Sequence, residues 1–132
     1  MHKFLTIAAI FGLLAVVLGA FGAHGLEQTL SPHALKRYHT GVEYQFYHVG
    51  ALITISLLGL QHDNFPKILT ISGIAFILGI VLFSGSLYLY AVTGIKQFGF
   101  ITPFGGLAFL VGWVMLIIYS LKEVLNNPPH PY

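Results

Sequence analysis

Phe4-Leu-Thr-Ile-Ala-Ala-Ile-Phe-Gly-Leu-Leu-Ala-Val-Val-Leu-Gly-Ala-Phe-Gly-Ala23 contains no charged side chain. At about 1.5 Å of rise per residue, a helix over this run covers the ~30 Å hydrocarbon core of a bilayer. The sequence therefore predicts a first transmembrane span over residues 4–23. Lys3 ahead of the run and Ala20-Phe-Gly22 near its end also fit the pattern of a cleaved secretory leader. The run is longer than a leader's apolar core, so a retained span is the expectation.

Working outward, three further apolar runs follow, over about 42–60, 68–92 and 102–121. The chain is 56% hydrophobic and 8% charged, against roughly 25% charged residues in soluble domains. The fold class that follows is all-α, an integral membrane four-helix bundle, with residues 1–132 forming a single transmembrane domain. A net charge of +2 spread over the loops is too sparse for a nucleic-acid surface. With no cysteine there is no disulfide framework, thiolate metal site or iron–sulfur cluster.

Local signals place the helix ends. Ser31-Pro32 reads as an N-cap followed by the first helical position, and Thr102-Pro103 repeats the pattern before the fourth run. A helix from Pro32 to Leu60 is ~43 Å long, more than a bilayer needs. His33, Lys36, Arg37 and Thr40 fall on one face of its start, and Ala34, Leu35 and Tyr38 on the other. The expectation is a short interfacial amphipathic helix over Pro32–Thr40, with Gly41 as a hinge into the second span. Pro66 breaks the chain before the third span, and Asn126–Tyr132 forms a polar tail.

Small residues recur at helical spacing: Ala8 and Gly12, then Ala15, Gly19 and Ala23; Ser72, Ala75 and Gly79; Gly105, Ala108 and Gly112. Such stripes let helix backbones approach closely inside lipid. Tyr88, Tyr90, Trp113 and Tyr119 read as anchors at the headgroup boundary. Positive charges tie across the membrane, with Lys3, Lys67 and Lys122 on one side and Lys36, Arg37 and Lys96 on the other. The first helix usually dominates orientation, which puts both termini in the cytoplasm.

Four ordered motifs run along the chain: Leu18-Gly-Ala-Phe-Gly-Ala-His24-Gly-Leu26, Gly41-Val-Glu-Tyr44-Gln45-Phe-Tyr-His48, Phe83-Ser-Gly-Ser86-Leu-Tyr88, and Ile101-Thr-Pro103-Phe-Gly-Gly106 with Gly112-Trp113. Together they resemble the domain-of-unknown-function 423 family, small bacterial inner-membrane proteins similar to the eukaryotic transmembrane protein 256. The resemblance covers essentially the whole chain. It implies a multi-pass, four-span fold in the bacterial plasma membrane and assigns no catalytic or binding residue.

The polar residues of those motifs are the candidate site. Tyr44, Gln45 and His48 are three and four residues apart, so they project from one side of the second span. His24 leaves the first span at the same membrane side and is the expected neighbour. In one reading His24, Tyr44, Gln45 and His48 form a hydrogen-bonded staple between helices. In the other, His24 and His48 ligate a metal or a haem iron, with Tyr44 or Glu43 completing the shell. No HExxH pair and no CxxCH motif supports the second, so no metal or cofactor is expected. His39 and Glu43 form a separate pair on another face, and His2, His62 and His130 fall in termini or loops.

Ser84 and Ser86 lack a neighbouring base for nucleophile chemistry and read as packing positions. Thr102, Pro103, Gly105 and Gly106 mark a helix start, with close packing expected of the glycines. The function that follows is non-enzymatic: an accessory or interaction protein working through helix packing with a membrane partner or a second copy of itself in the lipid bilayer. The alternatives are an oligomeric small-solute transporter or channel, and a haem or metal protein using His24 and His48.

Overall fold

The computed structural model describes residues 3–128, and these are all-helical. Helix α1 spans Lys3–Phe21 and runs on through a wide π turn at Gly22–Leu26; α2 spans Pro32–Gly59. Helix α3, Lys67–Gly79, continues through a second π turn, Ile80–Ser84, into α4, Gly85–Thr93. A short 3-10 turn at Lys96–Phe100 then leads into α5, Thr102–Asn126.

Three stretches are long and apolar enough to cross a membrane: Lys3–Leu26, Lys67–Thr93 and Lys96–Asn126. Helix α2 is as long, at 28 residues, but Glu43, Gln45 and His48 interrupt its apolar run.

The ends of the helices follow their local chemistry. The Ser31 hydroxyl accepts the Ala34 amide at 3.2 Å, ahead of Pro32 at the first helical position of α2. Gly94, at φ +71°, closes α4 by donating its amide to the Tyr90 carbonyl, a left-handed cap that glycine adopts without steric cost.

The expected interfacial helix is not a separate element, because α2 runs unbroken from Pro32 through Gly41 to Gly59. Gly41 is a contact point rather than a hinge. A Cβ there would lie 2.7 Å from a ring carbon of Tyr88 and 3.3 Å from the Ser84 carbonyl oxygen, so the missing side chain admits the neighbouring helix.

Helices α1 and α2 pack antiparallel, with Gly12 opposite Val49, Gly19 opposite Val42 and Gly22 against the Tyr38 ring. Helix α5 packs on α3 and the second π turn: Gly79 faces Phe109, Gly112 faces Phe76, and Gly105 meets the backbone of Phe83. The Ser72 hydroxyl donates to the Gly112 carbonyl at 2.7 Å within this contact. Leu52 and Ile55 of α2 join Leu69 and Phe76 of α3 in a core that excludes solvent completely.

Candidate functional site

The buried polar residues Gln45, His48, Ser84 and Ser86 lie along the seam where α2 meets the second π turn, α4 and α5. A π turn widens the helix by one residue and occurs often at functional positions. Here it is held from two sides. The Ser84 hydroxyl donates to the Gly41 carbonyl of α2 at 2.7 Å, and Gly105 of α5 brings its backbone against Phe83. The Ser86 hydroxyl reaches the Phe83 carbonyl at 2.9 Å and the Thr102 hydroxyl at 2.6 Å, tying the turn to the start of α5.

One turn along α2, Gln45 is buried and spans the bundle. Its Nε2 donates to the Phe11 carbonyl of α1 at 2.7 Å, and its Oε1 accepts the Tyr88 hydroxyl of α4, also at 2.7 Å. A single amide thus connects three helices. His48 lies a turn further on, and its two ring nitrogens are both engaged. Nδ1 is 2.6 Å from the Tyr44 carbonyl, which can only accept, so Nδ1 carries the proton. Nε2 accepts from the Trp113 indole N–H at 3.1 Å. The two bonds select one neutral tautomer, and its ring stacks on Phe109 with centroids 3.5 Å apart and planes within 6°.

Tyr44 takes a different role from its neighbours. It is partly exposed, packs its ring against Phe83 at 4.7 Å, and helps line an open groove of about 420 Å³ with Tyr47, His48, Phe109 and Trp113.

His24 does not join this group. It is exposed, in the π turn that ends α1. The antiparallel pairing explains why: with Gly19 opposite Val42 and Gly12 opposite Val49, Gln45 faces the chain near Val16 and His48 near Leu13. His24 is therefore ~12 Å along the axis from Gln45 and ~17 Å from His48. Neither a staple through His24 nor a His24–His48 ligand pair is built. The α1–α2 link at that level is instead Tyr38, which is buried against Gly22 and donates its hydroxyl to the Leu18 carbonyl. Among the described residues, no three histidine or carboxylate side chains converge as a metal shell.

Three aromatic residues that read as boundary anchors make specific hydrogen bonds. Tyr88 donates to Gln45, Trp113 to His48, and Tyr119 pairs with His62 Nε2 at 2.8 Å. The fourth, Tyr90, receives the Arg37 guanidinium over its ring at 4.3 Å. Spacing within one helix carries no signal of these partners: Gln45, His48 and Arg37 lie on α2, and His62 in the loop that follows it. Thr102, Pro103 and Gly106 line a second groove, of about 340 Å³, next to Arg37. His2 and His130 lie outside the described residues.

Long apolar helices, small-residue contacts and an interior whose polar groups bond one another define a helical membrane protein. The chain belongs to the family described as "Protein of unknown function (DUF423)", whose model matches residues 18–106. It is 44% identical over 122 residues to the UPF0382 membrane protein YwdK of Bacillus subtilis, an alignment covering 92% of this chain and 98% of that one. It is 41% identical over 122 residues to a UPF0382 membrane protein of Haemophilus influenzae, covering 92% and 96% of the two chains. To the UPF0382 inner membrane protein YgdD of Escherichia coli it is 39% identical over 129 residues, covering 96% and 95%. No solved structure matches the chain.

Proposed function

We propose that this chain is a four-span protein of the bacterial inner membrane that serves as an accessory or interaction subunit, acting through helix packing rather than catalysis. The observation that carries this reading is the closed interior. Among the described residues, no buried side-chain nitrogen or oxygen lacks a hydrogen-bond partner. Gln45, His48, Ser72 and Ser84 all spend their polar atoms on other parts of the fold. Hydrogen bonds of this kind between helices are what packing inside a bilayer requires of polar side chains.

Helix α2 is the fourth span in this reading, because it runs alongside α1 over its whole apolar length and turns Gln45, His48 and Ser56 inward. Glu43 stands exposed on α2, ~9 Å along the axis from Arg37. A carboxylate at that depth is costly against hydrocarbon and favourable against a polar partner, which supports a protein surface there in the assembled state.

The test is purification from membranes in mild detergent, followed by native mass spectrometry of the wild type and of Glu43→Leu. A stoichiometric membrane-protein partner or a homo-oligomer, weakened in Glu43→Leu, is the expected result. A monomer with a stoichiometric haem or metal would overturn the reading.

A further inference from the structure

The two grooves beside the polar seam adjoin, and together they are taken as a cleft. Both have Phe83 and Gly106 in their walls, one extending toward Arg37 and Tyr90, the other toward His48 and Trp113. The walls are helical stripes. Arg37, Tyr44 and His48 recur on one face of α2, and Pro103, Gly106, Leu110 and Trp113 on one face of α5. From Arg37 to His48 is ~17 Å along the axis, close to the ~15 Å hydrocarbon depth of one leaflet.

The cleft is chemically graded along that length. Its Trp113 end is aromatic and aliphatic, and His48 offers no free nitrogen there. At the other end the guanidinium of Arg37 is the one formal charge in either wall. It rests on the Tyr90 ring, with no carboxylate paired to it among the described residues. The antiparallel pairing with α1 sets Arg37 level with Ala23 and His24, where the uncharged run of α1 ends, and therefore at headgroup height.

We propose that this cleft binds an anionic phospholipid, with the headgroup phosphate on Arg37 and one acyl chain laid between α2 and α5 as far as Trp113. An unpaired cation at headgroup level, joined to an apolar cleft one leaflet deep, complements an anionic amphiphile at both ends. A zwitterionic lipid would bring its own cation to Arg37 and gain less. The proposal rests on the membrane reading given above.

Trp113 is the only tryptophan in the chain and lies in the cleft, so its fluorescence reports occupancy directly. The protein is reconstituted in phosphatidylcholine vesicles containing a minor fraction of acyl-brominated phosphatidylglycerol or, separately, acyl-brominated phosphatidylcholine, and insertion is checked by flotation. The expected result is a preference of about fivefold for brominated phosphatidylglycerol in quenching Trp113, the contribution of one basic residue near an anionic headgroup. Arg37→Gln should abolish the preference. Gly106→Leu should reduce quenching by both lipids, because a Cβ at Gly106 meets nothing nearer than 4.0 Å and the added side chain fills the cleft.

Equal quenching by the two lipids in the wild type would overturn the proposal and leave the membrane reading intact. Floated protein that neither lipid quenches would overturn it by showing that something other than lipid covers the cleft. Protein that fails to float would refute the membrane reading and the proposal together.

Discussion

Replacing Gln45 with leucine keeps nearly the same volume in a buried position and removes both bonds that tie α2 to α1 and α4. The two partners are left in different states. The Phe11 carbonyl keeps its place within α1, whereas the Tyr88 hydroxyl loses its acceptor in a half-buried setting. An interhelical hydrogen bond in a membrane protein is worth about 0.6 kcal/mol, and an orphaned buried donor costs roughly 1–3 kcal/mol. Gln45→Leu should therefore destabilise the bundle by about 2–3 kcal/mol, the unsatisfied Tyr88 hydroxyl being the larger part. Tyr88→Phe alone should cost about 1–2 kcal/mol, because it leaves the Gln45 oxygen without its donor. In the double variant each change removes the partner that the other orphans, so the loss should fall short of the sum by about 1 kcal/mol. Unfolding free energies from steric trapping in bicelles, measured around the four-corner cycle, provide the assay. Additive losses, or a Gln45→Leu variant as stable as wild type, would refute the claim that this amide holds three helices together.

Gly105→Ala should destabilise strongly, because the new Cβ would sit 2.3 Å from the Phe83 backbone nitrogen; Gly85→Ala, with nothing within 4 Å, should be neutral or stabilising by up to about 1 kcal/mol, as thermal unfolding of the two variants will check. His48→Ala should lower stability by about 2 kcal/mol, since it opens a cavity against Phe109 and strands the Trp113 N–H, whereas His24→Ala at its exposed site should stay within about 0.5 kcal/mol of wild type; a reversed order in unfolding assays would contradict the placement of the two rings. Nitrogen-15 NMR should find the His48 proton on Nδ1, with Nε2 unprotonated and hydrogen-bonded; an Nε2–H tautomer would remove the Trp113 bond from the account.

Much of the helical layout was legible because hydrocarbon demands long uncharged runs and proline marks helix starts. Phe4–Ala23 lies inside the first helical stretch and Ser31-Pro32 opens α2 as cap and first position; Thr102-Pro103 marks the start of α5, but Ile101 is its N-cap and the Thr102 hydroxyl goes to Ser86 instead of capping the helix. The side-by-side placement of Gln45 and His48 on α2 also follows from their spacing. What the sequence could not supply is the register between helices. Tyr88 and Trp113 find their acceptors 43 and 65 positions away, and no local pattern distinguishes such a ring from one at the headgroups. His24 was misplaced for the same reason, since chain connectivity suggests a neighbour that the sliding of α1 along α2 sets two turns away. The hinge expected at Gly41 was a helix contact, because a glycine that admits another backbone and one that lets a helix bend look alike in sequence. The π turns carry no sequence signature here, and the second shows only in the way Gly41 and Gly105 close on it.

Whether α2 crosses the bilayer decides between a three-span and a four-span protein, and the polar residues that interrupt its apolar run make it the helix in question. The chain has no cysteine, so single cysteines at Gln28, Asp63, Gln97 and Asn127 can be read without interference by a membrane-impermeant thiol reagent on intact and on permeabilised cells. Positions 28 and 97 should be labelled from the outside, while 63 and 127 should be labelled only after permeabilisation. Labelling of 28 and 63 from the same side would mean that α2 does not cross, and would contradict the four-span bundle.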